Sequence, residues 1–288
     1  MSERIAVAKT YKLYLGGAFP RSESGRSYPV SASNGDFLAN AALGSRKDAR
    51  DGVVQARQAS AGWAETSAYN RGQVLYRVAE MMEGRREQFI VDVTNAEGAQ
   101  GKRAQNLVEA AIDRWVHYAG WTDKIASVLS SANPVAGPYF SFTAPQPCGV
   151  VAVLAPQSSS LLGLVSVLAP VIATGNTVVV VASQDRPLPA ATLSEVLATA
   201  DIPPGVVNIL TGRTAELAPW LASHADVNAI DLCGAPAAQR VDLEQAAAGT
   251  VKRVLRAPDT EPDWLAPPEL TRLRRFMEHK TIWHPAAL

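Results

Sequence analysis

Cysteine is scarce in this chain. Cys148 and Cys233 are its two examples, far apart and without a Cys-x-x-Cys spacing. That argues against a disulfide framework or a zinc site and fits a reducing, cytoplasmic compartment. An excess of either charge is also missing. The 27 basic residues balance 27 acidic ones, so nothing points to nucleic acid, an anionic membrane or a polyanionic substrate. The four histidines, His117, His224, His279 and His284, are scattered and joined by no set of carboxylates, so no metal centre is expected. No Gly-x-Ser-x-Gly elbow surrounds Ser158-Ser159-Ser160, which reads as a run of helix-capping hydroxyls. The opening residues, MSERIAVAKTYKLYLGG, hold no long apolar stretch, and no secretory signal is expected. Leu161 to Ser183 carries no charge and is long enough to test as a membrane span. Pro170 and Gly175-Asn176-Thr177 interrupt it, which favours a buried helix followed by a strand. Internal repeats and low-complexity tracts are absent.

What is present is organised around Cys148 to Gln184. Val150–Leu154 and Thr177–Val181 are short apolar runs rich in β-branched residues, and a helix-length apolar segment lies between them. This is the pattern of a β-α-β unit in a parallel sheet covered on both faces. Further strands are expected at 206–210, 228–232 and 251–255, with helices at about 160–173, 188–200, 214–223 and 236–248. The fold class is therefore α/β, a doubly wound, Rossmann-like parallel sheet. Ligands of such sheets bind beyond the carboxyl ends of the strands, here at Pro156 to Ser160 and Ala182 to Gln184.

Before the sheet, residues 11–30 predict two short strands. Helices are expected at 48–63, 70–83, 85–96 and about 102–125, and extended chain over 127–147. The 288 residues thus divide into a helical N-terminal region with part of a hairpin (1–147), the α/β core (148–256), and a Pro-rich linker and tail (257–288). A short basic helix is expected at Thr271–Lys280. Its Arg272, Arg274, Arg275 and Lys280 read as a solvated face or, with Trp264, Ile282 and Trp283, as a docking tail. Cys148 and Cys233 read as small, buried residues beside strands, with Cys233 the candidate for reactivity.

Five segments carry a family resemblance: Tyr14-Leu15-Gly16-Gly17, His117-Tyr118-Ala119-Gly120-Trp121, Pro147-Cys148-Gly149-Val150-Val151, Gly175-Asn176-Thr177-Val178-Val179 and Pro203-Pro204-Gly205-Val206-Val207-Asn208. Their order and spacing over residues 11 to about 255 resemble the aldehyde dehydrogenase superfamily. The resemblance implies a dinucleotide-binding domain, a catalytic domain and an oligomerisation hairpin. This sequence resembles the first plus part of the hairpin, without the catalytic domain. It is similar to the non-catalytic second module of long, two-module family members.

The resemblance also implies where chemistry would sit. The family's general-base Glu follows the last strand; here Arg256-Ala257-Pro258 follows Leu255. Neither cysteine falls at the nucleophile, and the oxyanion Asn aligns with the Gln157-Ser158 turn, so no catalytic residue is assigned. Of the cofactor cleft, Ser183, Gly212 and Gly234 are retained. The Lys and Glu that take the ribose hydroxyls align with Val181 and Gln184, two further glycines with Thr214 and Ala218, and Pro236 removes one helix N-terminal amide. Each lost hydrogen bond is worth roughly 0.5–3 kcal/mol, so three or four remove about two decades of affinity or more. The expectation is a pseudoenzyme with no cofactor, partnered by a full-length aldehyde dehydrogenase or by self-association. The alternative is weak binding of NAD or NADP, or an oxidoreductase site completed by a partner subunit. Without a catalytic domain, apolar surface on the core should be exposed, or covered by residues 258–288 or by a partner.

Overall fold

The computed structural model describes residues 9–286, so the part of the signal-segment reading that rests on residues 1–8 lies outside it. The chain opens with β1 (Thr10–Tyr11), β2 (Ser27–Ser31) and β3 (Phe37–Ala42), a small sheet in the order β1-β3-β2. The sequence predicts only two strands here. Phe-Leu-Ala-Asn-Ala-Ala of β3 has no β-branched residue and no alternation to announce it.

Helices α1 (Arg46–Glu65), α2 (Ala68–Glu83), α3 (Arg86–Glu97) and α4 (Lys102–Ala119) follow. α1 starts at a capping box: the Ser45 hydroxyl accepts from the Asp48 amide while the Asp48 carboxylate accepts from the Ser45 amide at 2.8 Å. α4 is shorter than the predicted 102–125. It stops before Gly120, the chain turns, and Ile125–Leu129 forms a separate α5. The extended stretch resolves into β4 (Ser131–Asn133) and β5 (Tyr139–Pro147).

The α/β core runs β6 (Val150–Leu154), α6 (Leu162–Ala173), β7 (Thr177–Val181), α7 (Leu188–Leu197), β8 (Val207–Leu210), α8 (Thr214–Ser223), β9 (Ala229–Asp231), α9 (Arg240–Ala248) and β10 (Arg253–Leu255). All five strands are parallel, in the order β10-β9-β6-β7-β8. β6 and β7 are buried along their whole length because both faces are covered. Val150, Ala152, Leu154, Val179 and Val181 pack with α1 and α8 on one side. Val151, Val153, Val178 and Val180 join α6, α7 and the helical region on the other. Period-two alternation thus divides one apolar run between two cores.

The C-terminal region departs from its prediction. The basic helix is one short turn, α10 (Thr271–Arg275), and Met277–Pro285 forms a nine-residue strand, β11, antiparallel to β5. Residues 281–283, Thr-Ile-Trp, suit a strand, and β5 offers them the edge opposite the one that β4 takes. Nor is Arg272 a solvated residue: it lies against a buried aspartate, as described below. Leu273, Phe276 and Met277 are buried in the larger core, so part of residues 258–288 covers the core's apolar surface.

Candidate functional site

The order in which strands are added reverses between β6 and β9, although all five stay parallel. β7 and β8 extend to one side of β6, β9 and β10 to the other. A crevice is expected where the loops leaving β6 and β9 part. Here that crevice is filled by the chain itself. The Gly234 amide donates to the Leu154 carbonyl at 2.8 Å. Its Cα approaches so closely that an added Cβ would lie 1.8 Å from the Ala155 oxygen. The glycine is therefore required by contact between two backbones, independently of any ligand.

The loop after β6 is held on every side. Gln157 donates to the Ala155 carbonyl at 2.8 Å and accepts from the Gln184 amide at 3.0 Å. The Ser183 hydroxyl donates to the Gln157 carbonyl at 2.9 Å. The Ser158 hydroxyl donates to Glu261, and Arg186 donates to the Ser158 carbonyl. The Ser159 hydroxyl accepts from the Gly163 amide at 2.9 Å, and both the amide and the hydroxyl of Ser160 donate to Glu97, at 2.6 and 2.7 Å. Of the three serines, Ser159 alone accepts from a helical amide as a capping hydroxyl does; Ser158 and Ser160 donate to carboxylates instead, and the N-cap of α6 is Leu161.

Farther along the strand ends, the Thr211 hydroxyl donates to the Ala42 carbonyl at 2.6 Å, and the Gly44 amide donates to the Thr211 carbonyl at 2.9 Å. Gly212 has φ +141°, and a Cβ there would meet the Gly44 nitrogen at 3.0 Å. The Tyr28 hydroxyl donates to the Gln184 carbonyl at 3.0 Å. A cleft of about 520 Å³ remains beside these residues, lined by Tyr28, Ser33, Gln184, Asp185, Arg186 and Arg213. Val181 is fully buried in the core and presents nothing to this cleft. Ser183, Gly212 and Gly234 therefore share one end of the sheet, but each is engaged by a protein neighbour.

Residues 257–270 cross the β6 and β9 ends as a strap. Glu261 meets Ser158 and also accepts from the Trp264 indole at 2.9 Å. Arg272 donates through Nε to Asp231 at 2.9 Å, and the Cys233 amide donates to the other carboxylate oxygen at 2.9 Å. Asp231 is completely buried, and burial pushes its carboxyl up while Arg272 pulls it back. Burial works against the Arg272 charge too, but Asp231 outweighs it and holds the guanidinium above its ordinary value. Burial, reinforced by Asp231, pushes the Cys233 thiol up to about 12, and burial alone does most of the same for Cys148, also to about 12. Neither thiol ionises near neutral pH, as a nucleophile must.

Sequence reasoning missed Glu97, Glu261 and Asp231. The first two reach the strand ends from distant parts of the chain and leave no local pattern. Asp231 had a signal: a carboxylate ending an apolar strand needs a partner. Among the described residues no group of three or more His, Cys, Asp or Glu could hold a metal, and no helix is long and apolar enough to cross a membrane.

Five parallel strands, helices on both faces and a strand-end crevice define an α/β protein of the Rossmann-like class. The aldehyde dehydrogenase family profile matches residues 20–257, and the chain belongs to that family. It is 29% identical over 259 residues to cytosolic 10-formyltetrahydrofolate dehydrogenase of Mus musculus, covering 88% of this chain and 28% of that protein. It is 32% identical over 257 residues to aldehyde dehydrogenase family 2 member B4, mitochondrial, of Arabidopsis thaliana, covering 87% and 46%. Among solved structures it resembles HpcC from Thermus thermophilus with a TM-score of 0.80 and 27% identity, covering 85% of this chain and 47% of that one. The chain thus spans less than half the length of these relatives.

Proposed function

We propose that this chain is a non-catalytic, aldehyde-dehydrogenase-like protein that acts as a structural or regulatory partner of a full-length dehydrogenase, or of a second copy of itself. The observation that carries the reading is the saturated strand-end crevice. The groups that the family resemblance assigns to oxyanion and cofactor are Gln157, Ser158, Ser183 and Gly234, and each is bound to this chain's own residues. Releasing them to a ligand would break hydrogen bonds worth about 0.5–1.5 kcal/mol each, more where charge is involved. The surface offered for association is the β11-β5-β4 sheet, with Phe140 56% exposed, Trp283 58% exposed and the outer edge of β11 unpaired among the described residues.

One observation favours a second reading, a weak NAD or NADP site completed by a partner. The Thr214 hydroxyl, the Gln239 side-chain oxygen Oε1 and the Arg240 Nε are buried without hydrogen-bond partners where α8 and α9 begin. Calorimetric titration of the pure chain with NAD and NADP separates the readings. Micromolar, saturable binding would overturn the first. So would a tagged chain that stays monomeric and recovers no aldehyde dehydrogenase from native extract.

A further inference from the structure

A second cleft, of about 410 Å³, lies between α4 and the strap, away from the β7 and β8 ends. Its volume is that of a small-molecule site. Leu255, Pro258, Pro262, Trp264 and Pro267 give it largely apolar walls. Its deep wall is α4, which contributes Arg114 and Tyr118.

Arg114 is 7% exposed. One of its Nη atoms donates to the carbonyls of Trp264 and Ala266, at 2.6 and 3.2 Å. No carboxylate lies within ion-pair distance among the described residues, and burial pulls the guanidinium below its ordinary value. The cleft's other guanidinium groups differ: Arg272 is paired with Asp231 and Arg256 with Glu244, both at 2.9 Å. An uncompensated cation removed from bulk water is costly, and a bound anion relieves that cost. Tyr118 supplies a second polar group. It is 2% exposed, and its hydroxyl makes no hydrogen bond among the described residues.

From this juxtaposition we propose that the cleft binds a small-molecule monocarboxylate with an apolar or aromatic body. Arg114 takes the carboxylate, the Tyr118 hydroxyl donates to it, and the Trp264 and proline wall holds the body. Asp263 and Glu269 also line the cleft and disfavour a second negative charge, which selects against dicarboxylates and phosphates. The proposal needs only this chain and does not depend on the partner reading.

The test is titration of the intact protein with benzoate, followed by calorimetry and by tryptophan fluorescence, since Trp264 lines the cleft. Benzamide and phthalate serve as neutral and doubly charged counterparts. Saturable benzoate binding is expected, with benzamide and phthalate both weaker. Tyr118→Phe keeps the packing and the stability and should weaken benzoate about tenfold or more. Arg114→Met should abolish binding, with circular dichroism confirming its fold. Absence of saturable benzoate binding would overturn the proposal. So would benzamide binding as tightly as benzoate, or an unchanged affinity in Tyr118→Phe.

Discussion

Replacing Gly234 by alanine separates a packing role from a ligand role at the β9 end. The residue is outside the left-handed region of backbone space, so its conformation alone would tolerate a side chain. Contact does not. The new Cβ would fall 1.8 Å from the Ala155 oxygen, 2.6 Å from its carbonyl carbon and 3.0 Å from the Leu154 oxygen. All three atoms are backbone, so no side chain can swing aside. Relief requires the β6 and β9 loops to separate, losing the hydrogen bond from Gly234 to Leu154 and straining the Asp231–Arg272 pair at the end of β9. Overpacking costs about 1–3 kcal/mol and the lost hydrogen bond about 0.5–1.5. Reduced freedom in the unfolded chain returns about 0.4–1 kcal/mol. A net loss of about 0.5–4 kcal/mol is expected, set against a typical total of about 5–15. Urea unfolding followed by tryptophan fluorescence measures it without any ligand. Gly62→Ala is the control: it is helical, exposed and has nothing within 4 Å of an added Cβ, and it should stabilise by about 0.5–1 kcal/mol. A Gly234→Ala protein as stable as the parent would refute the reasoning.

Three further outcomes are expected. Arg272→Met leaves Asp231 buried and unpaired and should cost about 3–5 kcal/mol, whereas Asp231→Leu combined with Arg272→Met should recover most of the loss; a double variant as unstable as the single would contradict the pair's role. Val251 is a β-branched residue with φ +56° and is 91% exposed, so Val251→Gly should stabilise by about 0.5–1 kcal/mol after glycine's own entropic cost, read as a higher urea midpoint. Burial, with Arg114 adding, lowers the pKa of His117, and burial, despite Asp226, lowers that of His224. The unfolded chain then takes up these protons first, so stability should be full above pH ~6.5 and fall as the pH drops below it. Urea midpoints between pH ~5.5 and ~7.5 should show that slope, shallower in His117→Leu.

The centre of the fold was the part most open to sequence reasoning. β6 and β7 fall at their predicted bounds, Val150–Leu154 and Thr177–Val181, because a strand buried on both faces must be apolar throughout. The same rule located Gln157, Ser158 and Ser183 at one end of the sheet. β11 was hidden for the opposite reason. Met-Glu-His-Lys-Thr-Ile-Trp-His-Pro lies largely in solvent, so no burial pattern marks it, and its strand character comes from β5. The strap was equally opaque. A Pro-rich, acidic stretch reads as a spacer, and only three dimensions show Glu261 on Ser158 and the Trp264 carbonyl on Arg114. Arg272 looked solvated because its partner, Asp231, sits 41 residues away.

The pairing of β5 with β11 also has a kinetic side. Thr143 and Thr281 share a hydrogen bond across 138 residues of sequence, with the whole α/β core between them. Closing so long a loop before the core exists would be entropically expensive, whereas the folded core brings the two strands close together. β11 should therefore join the sheet last, after the local β4–β5 pair. During synthesis β5 emerges first, and Tyr139 to Phe142 wait with an open strand edge until β11 follows. That interval is when this chain is most exposed to aggregation, or to capture by another polypeptide's strand.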